Sequence, residues 1–153
     1  LYGAGMAFRK KVWEHLFNSG FEPNLTDRKG KELSSGGDTE ISYALRLLGY
    51  ELWYSKDLKF QHFMPNSRMS FDYLSQLLLK AKESQFLLVP YLRLLDKKNI
   101  PLLTIRDAFY FFRKYIIFSV IKDKRAIEMK VKCKNYKEFN KAVFVIKNWM
   151  KNF

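Results

Sequence analysis

A chain of 153 residues with 48% hydrophobic and 17% aromatic side chains has enough apolar mass for a packed core, which excludes a disordered chain. Its 28 Lys/Arg against 15 Asp/Glu give a formal charge of +13, which favours anionic partners: phosphorylated substrates, nucleic acid or an acidic lipid surface. The lone cysteine, Cys133, excludes an internal disulfide scaffold or a cysteine-based zinc site and fits a reducing cytoplasm.

The chain starts with "LYGAGMAFRKKVW", which has neither an initiator Met nor a signal-peptide layout and reads as the middle of a longer protein. Residues 2–8 alternate small and apolar side chains, predicting an extended segment packed closely around Gly3 and Gly5. Residues 9–18 follow as a short helix with Val12, Trp13, Leu16 and Phe17 on one face, stopped before Gly20. Residues 22–37 are polar and rich in chain breakers, which predicts a loop.

Next comes "GGDTEISYALRLLGY", in which Ile41, Ala44, Leu45 and Leu48 recur at i, i+3, i+4 and i+7. That is the apolar stripe of a core-facing helix, and Gly49 ends it. Residues 51–55 ("ELWYS") and 58–64 ("LKFQHFM") read as two short strands around a turn at Lys56 and Asp57. From Ser70 the pattern is helical almost to the end, with breaks near Pro90, between Asn99 and Pro101, and at residues 122–124. The longest apolar stretch, residues 108–121, is interrupted by Arg113 and Lys114 and falls short of the roughly 20 residues a spanning helix needs.

Two readings of Asp38 follow from its neighbours. Ser35 and Asp38 fit the S-x-x-D capping box, in which side chains satisfy orphan N–H groups at a helix start and Gly36 and Gly37 permit the turn. Alternatively, the two glycines let a substrate approach the backbone, and the Asp38 carboxylate accepts a proton from an attacking hydroxyl.

The order of short motifs bears on that choice. "GAGMAFR", Gly20–Phe21, "GGDTEI", "RLLGYELWYS" and "FQHF" follow one another over residues 2–63. This set resembles the C-terminal half of the catalytic domain of family 2 glycosyltransferases, which have the GT-A fold. The resemblance implies that Asp38 is the catalytic base. Gly37 stands where the family usually has Glu, and Glu40 fills the acidic position two residues on. Because residues two apart on a helix face different sides, Glu40 is given an orienting or loop-pairing role. The resemblance also implies that Gly36, Gly37 and Glu40 line the substrate site.

His62 matches the histidine that completes a divalent-metal site in several enzymes of that fold, and Arg68 lies where related synthases place an arginine on the diphosphate. A packed histidine and a solvated arginine are the bland readings. The Gln-x-x-Arg-Trp motif of those synthases is absent, since Pro65 and Met69 replace its Gln and Trp. Trp53 and Tyr54 could stack on a sugar face or simply pack. The implied cofactor is a divalent metal, Mg or Mn, held with a nucleotide-binding half expected to precede Leu1; the chain itself contains no Asp-x-Asp.

The resemblance therefore implies an α/β piece, mostly α, with short strands. Residues 1–65 would form the acceptor side of a GT-A catalytic domain and residues 66–153 a basic helical extension. The expected reaction moves a sugar from a nucleotide-sugar donor to a glycan or lipid-linked acceptor, the fragment being inactive alone.

Residues 122–151 carry ten Lys/Arg against three acids, with Phe139, Val143, Ile146, Trp149 and Met150 interleaved at helical spacing. That composition suits peripheral contact with an anionic membrane, or equally a helical bundle burying its stripe and wetting its lysines. The expected location is cytoplasmic, and peripheral at the inner face of the cytoplasmic membrane if the tail docks there. A non-catalytic basic helical module is the alternative. Nucleic acid is not an expected partner, because recognised binding signatures are missing and Arg is scarce beside Lys.

Overall fold

The computed structural model describes residues 5–25 and 35–153; Gly3 and most of the polar loop expected at residues 22–37 lie outside them. Among the described residues there are six α-helices: α1 (Lys10–Asn18), α2 (Gly37–Leu47), α3 (Phe71–Leu95), α4 (Ile105–Val120), α5 (Arg125–Lys134) and α6 (Tyr136–Met150). A single 3₁₀ turn, Asn66–Arg68, leads into α3.

The expected α/β character is overturned, because no strand occurs among the described residues. Residues 51–64 turn back at Lys56 and Asp57 as expected, but the turn is closed only by local bonds, Leu58 N–H to Ser55 C=O and Lys59 N–H to Asp57 C=O. The two arms exchange no ladder bonds. A strand exists only where a neighbour takes its backbone donors and acceptors, and two isolated arms are marginal in water. Without such strands, the described residues do not form the GT-A piece.

The helices form where apolar periodicity and end signals agree. Helix α2 buries Ala44 and Leu45 and ends at Gly49, where a φ of +85° lets the Tyr50 N–H reach the Leu45 carbonyl and the Gly49 N–H the Arg46 carbonyl. Helix α3 starts on Ser70, whose Oγ accepts from the Tyr73 N–H at 3.2 Å. It continues through Pro90, in contrast to the expected break. Pro90 costs the helix one N–H donor, but Leu88, Pro90 and Tyr91 are buried together, and that packing carries the helix past the lost bond. Helix α4 opens with a reciprocal capping box: Asp107 N–H donates to Thr104 Oγ1, and the Thr104 N–H and hydroxyl both donate to Asp107 Oδ2 at 2.7 Å.

The C-terminal half of α3 is the hub. Leu88 and Tyr91 pack with Leu16, Phe21, Ala44 and Leu45 from the first part of the chain and with Ala142, Ile146 and Trp149 of α6. One core is thus shared by residues on both sides of position 65. The Trp149 indole N–H donates to Ser19 Oγ at 2.9 Å, and its ring meets Phe21 edge-on at 5.2 Å. A second cluster joins Ile100, Phe139 and Val143, with the Phe86 and Phe139 rings stacked at 4.8 Å. Asn140 clips the segment before α4 to α6: its side chain accepts from the Leu103 N–H at 2.8 Å and donates to the Leu103 carbonyl at 2.6 Å.

The aromatic stripe of the basic tail is therefore occupied. Phe139, Val143, Ile146 and Trp149 are buried, while Lys141, Lys147 and Lys151 stand exposed. No described helix is long and apolar enough to cross a membrane.

Candidate active site at the start of the second helix

Gly36 is the N-cap of α2, with a φ of +106° that L side chains rarely adopt. The cap position falls on a residue without a side chain, one beyond Ser35, and no side-chain cap hydrogen bond is made there. The backbone turns tightly against α3. A Cβ on Gly36 would come within 3.1 Å of both Leu25 Cδ1 and Ser84 Cβ. Ser84 fixes the same turn from below: its hydroxyl contacts the Ser35 carbonyl and the Lys80 carbonyl. Gly36→Ala is accordingly expected to destabilise the fold by about 1–3 kcal/mol, from backbone strain and the crowding together. Urea unfolding measures this, and a change of only a few tenths of a kcal/mol would show that the turn can relax.

Glu40 anchors the helix from the inside. Its side chain is 0% exposed and surrounded by donors. Oε1 accepts from the Asn24 N–H at 2.9 Å, the Asn24 amide at 3.1 Å and the Tyr91 hydroxyl at 2.6 Å. Oε2 accepts from the Leu25 N–H at 2.7 Å. Four donors around an acceptor-only group complement a carboxylate. Burial pushes the Tyr91 phenol far above its ordinary pKa, and the adjacent Glu40 charge adds to the effect, so Tyr91 stays a donor. Glu40 thus ties the segment at Asn24–Leu25 to α2 and α3, and it meets the protein's own groups rather than the surface.

Asp38 sits between these two anchors and is partly exposed. Its Oδ1 accepts from the Thr39 N–H at 2.7 Å and from the Thr39 hydroxyl at 3.3 Å, and its main-chain carbonyl accepts from Ser42 Oγ at 2.8 Å. Gly37 beside it is buried. Asp38 therefore lies in the first turn of a helix that is fixed on both sides.

The other expected site residues belong to different segments of the chain. His62 is exposed in the coil of residues 51–64, its ring 6.3 Å from that of Phe60. Arg68 is exposed at the end of the 3₁₀ turn. Neither makes a hydrogen bond or ion pair with Asp38. Among the described residues no cluster of three or more His, Cys, Asp or Glu side chains could hold a metal ion. Among the described residues, the divalent metal expected with a nucleotide-binding half has His62 as its one proposed ligand.

An open cleft of about 700 Å³ lies between residues 5–12 and residues 49–60. Phe60 forms part of its wall, with its ring directly over Gly5, where a Cβ would stand 2.5 Å from Cε1. Trp53 and Tyr54, 85% and 87% exposed, also line it, so neither packs into the core. Asp38, His62 and Arg68 are not among the lining residues.

Sequence reasoning missed Tyr91, Asn24 and Ser84, the groups that hold Glu40 and Gly36. Tyr91 follows a proline read as a helix break, which hid its place on the buried face of α3. No family model, no curated protein and no solved structure matches the chain.

Proposed function

We propose that the protein carrying this chain transfers a sugar from a nucleotide-sugar donor to a hydroxyl of a glycan or lipid-linked acceptor, with Asp38 as general base. The observation that carries the reading is the placement of Asp38: partly exposed at the start of α2, between the Gly36 turn and the wholly enclosed Glu40. It is supported by the run Gly36–Gly37–Asp38–Thr39–Glu40 and the motifs around it, which resemble those of family 2 glycosyltransferases.

In this reaction the acceptor O–H proton passes to the Asp38 carboxylate as the oxygen forms a bond to the anomeric carbon. The bond from that carbon to the diphosphate oxygen breaks, its electron pair leaves with the nucleoside diphosphate, and the anomeric configuration inverts. Glu40 is a positioning residue. It fixes the first turn of α2 without touching the reactants. Trp53 and Tyr54, in a cleft that Asp38 does not line, offer flat apolar faces with polar edges on which a more distant sugar of the acceptor can rest. The charge of +13 raises the local concentration of phosphorylated donor and of acidic acceptors.

Release of nucleoside diphosphate from a panel of nucleotide sugars by the full-length protein tests this. Release that depends on an added glycan or lipid-linked acceptor is the expected result. No release from any donor would support the non-catalytic alternative, a basic helical module.

A further inference from the structure

Helix α4 is apolar on two sides, and only one is used. Its inner side, with Phe111, Tyr115 and Phe118, packs on α5, where Lys132, Lys130 and Arg125 lie over those three rings in turn. The opposite side carries Ile105, Phe109, Phe112, Ile116 and Val120, spaced i, i+4, i+7, i+11 and i+15. They fall within one narrow arc of the helix and are 65%, 69%, 49%, 47% and 76% exposed. No residue of α4 is buried, so this stripe contributes nothing to the core.

The charge around the stripe has one sign. Residues 105–134 hold nine Lys/Arg and three acids. Each acid is engaged locally: Asp107 in the Thr104 capping box, Asp123 with Arg125 at 2.7 Å, and Glu128 with Lys132 at 2.5 Å. Arg106 and Arg113 are exposed along one edge of the stripe, and Lys122 is exposed just beyond its end. A second copy of the chain would bring a second charge of +13 against the first, which disfavours self-association through this face. An apolar stripe flanked by cations along one edge and at its end complements a bilayer surface carrying acidic headgroups.

We propose that the outer face of α4 is a membrane-docking surface that lies in the interface of an anionic bilayer, with Phe109, Phe112 and Ile116 immersed and Arg106 and Arg113 reaching the headgroups. The aromatic stripe of α6 is spent in the core, so α4 and not the C-terminal helix makes the apolar contact. This inference does not rest on the chemistry of Asp38, and its test uses no sugar.

The test is sedimentation of the chain with phosphatidylcholine vesicles, with and without phosphatidylserine, beside the double variant F109Q/I116Q. Both substituted side chains are exposed, so helix content by circular dichroism should stay unchanged. The expected result is binding to the serine-lipid vesicles that falls about tenfold or more in F109Q/I116Q. R106Q/R113Q should lose about fivefold per arginine, and added salt should weaken the wild type. Unchanged binding by F109Q/I116Q would overturn the proposal and move the contact to the lysines of α5 and α6. Absence of vesicle binding would also overturn it. So would lipid-free dimerisation abolished by F109Q/I116Q, which would show that a second copy covers the stripe.

Discussion

Glu40→Ala is expected to remove about 3–5 kcal/mol of stability, a large share of the roughly 5–15 kcal/mol that holds a domain of this size together. The deletion leaves the Leu25 N–H, the Asn24 N–H and the Tyr91 hydroxyl facing an empty space. Each buried donor stranded in this way costs about 1–3 kcal/mol. Water can enter beside Asn24, which is only partly buried, and this moderates the total. Tyr91 is 1% exposed and has no such relief. Glu40→Gln should cost less, since it keeps one carbonyl acceptor for Asn24 and Tyr91 but turns an amide donor toward the Leu25 N–H. Urea titration followed by circular dichroism gives both numbers. A loss under about 1 kcal/mol for Glu40→Ala would mean that the segment at Asn24–Leu25 is not held through this carboxylate.

The pairing also bears on function, because Glu40 lies two residues from Asp38. Glu40→Gln should weaken transfer through a misplaced first turn rather than a missing proton acceptor.

Helices were legible in the sequence where the signal was local. Ile41, Ala44 and Leu45 with Gly49 marked α2 and its end, and the Phe139–Val143–Ile146–Trp149 spacing marked the inner face of α6. The strands at residues 51–55 and 58–64 could not be read from their residues alone, because pairing belongs to the neighbour and not to the segment. Pro90 is a related case: the buried contacts of Leu88 and Tyr91, made with helices distant in sequence, outweigh a local breaking signal. Helix α4 was plainly apolar, yet periodicity could not say which of its two apolar sides would find α5.

The candidate site divides along the same line. Asp38, Gly36 and Glu40 were legible because they share one short motif. What makes them a constructed turn was not, since Asn24, Ser84 and Tyr91 come from 16, 49 and 51 residues away from their partners. His62 and Arg68 stand out by position within the motif series, and in the largely exposed run of residues 51–68 neither forms a hydrogen bond or ion pair with Asp38.

The role of Asp38 as acceptor of the hydroxyl proton is tested most directly by the Asp38→Asn variant of the full-length protein. The amide keeps the size and one acceptor oxygen for the Thr39 N–H, so the fold and donor affinity should be nearly unchanged. It cannot take a proton near neutral pH, and general-base catalysis supplies about 10²–10⁴-fold. The measurement is kcat for acceptor-dependent nucleoside diphosphate release, with the melting temperature and donor Kd recorded on the same preparation. The expected result is a kcat lowered by about 10²–10⁴-fold at an unchanged melting temperature. A variant that keeps more than about a tenth of the wild-type kcat would contradict the assignment and leave Asp38 as a structural residue at the start of α2.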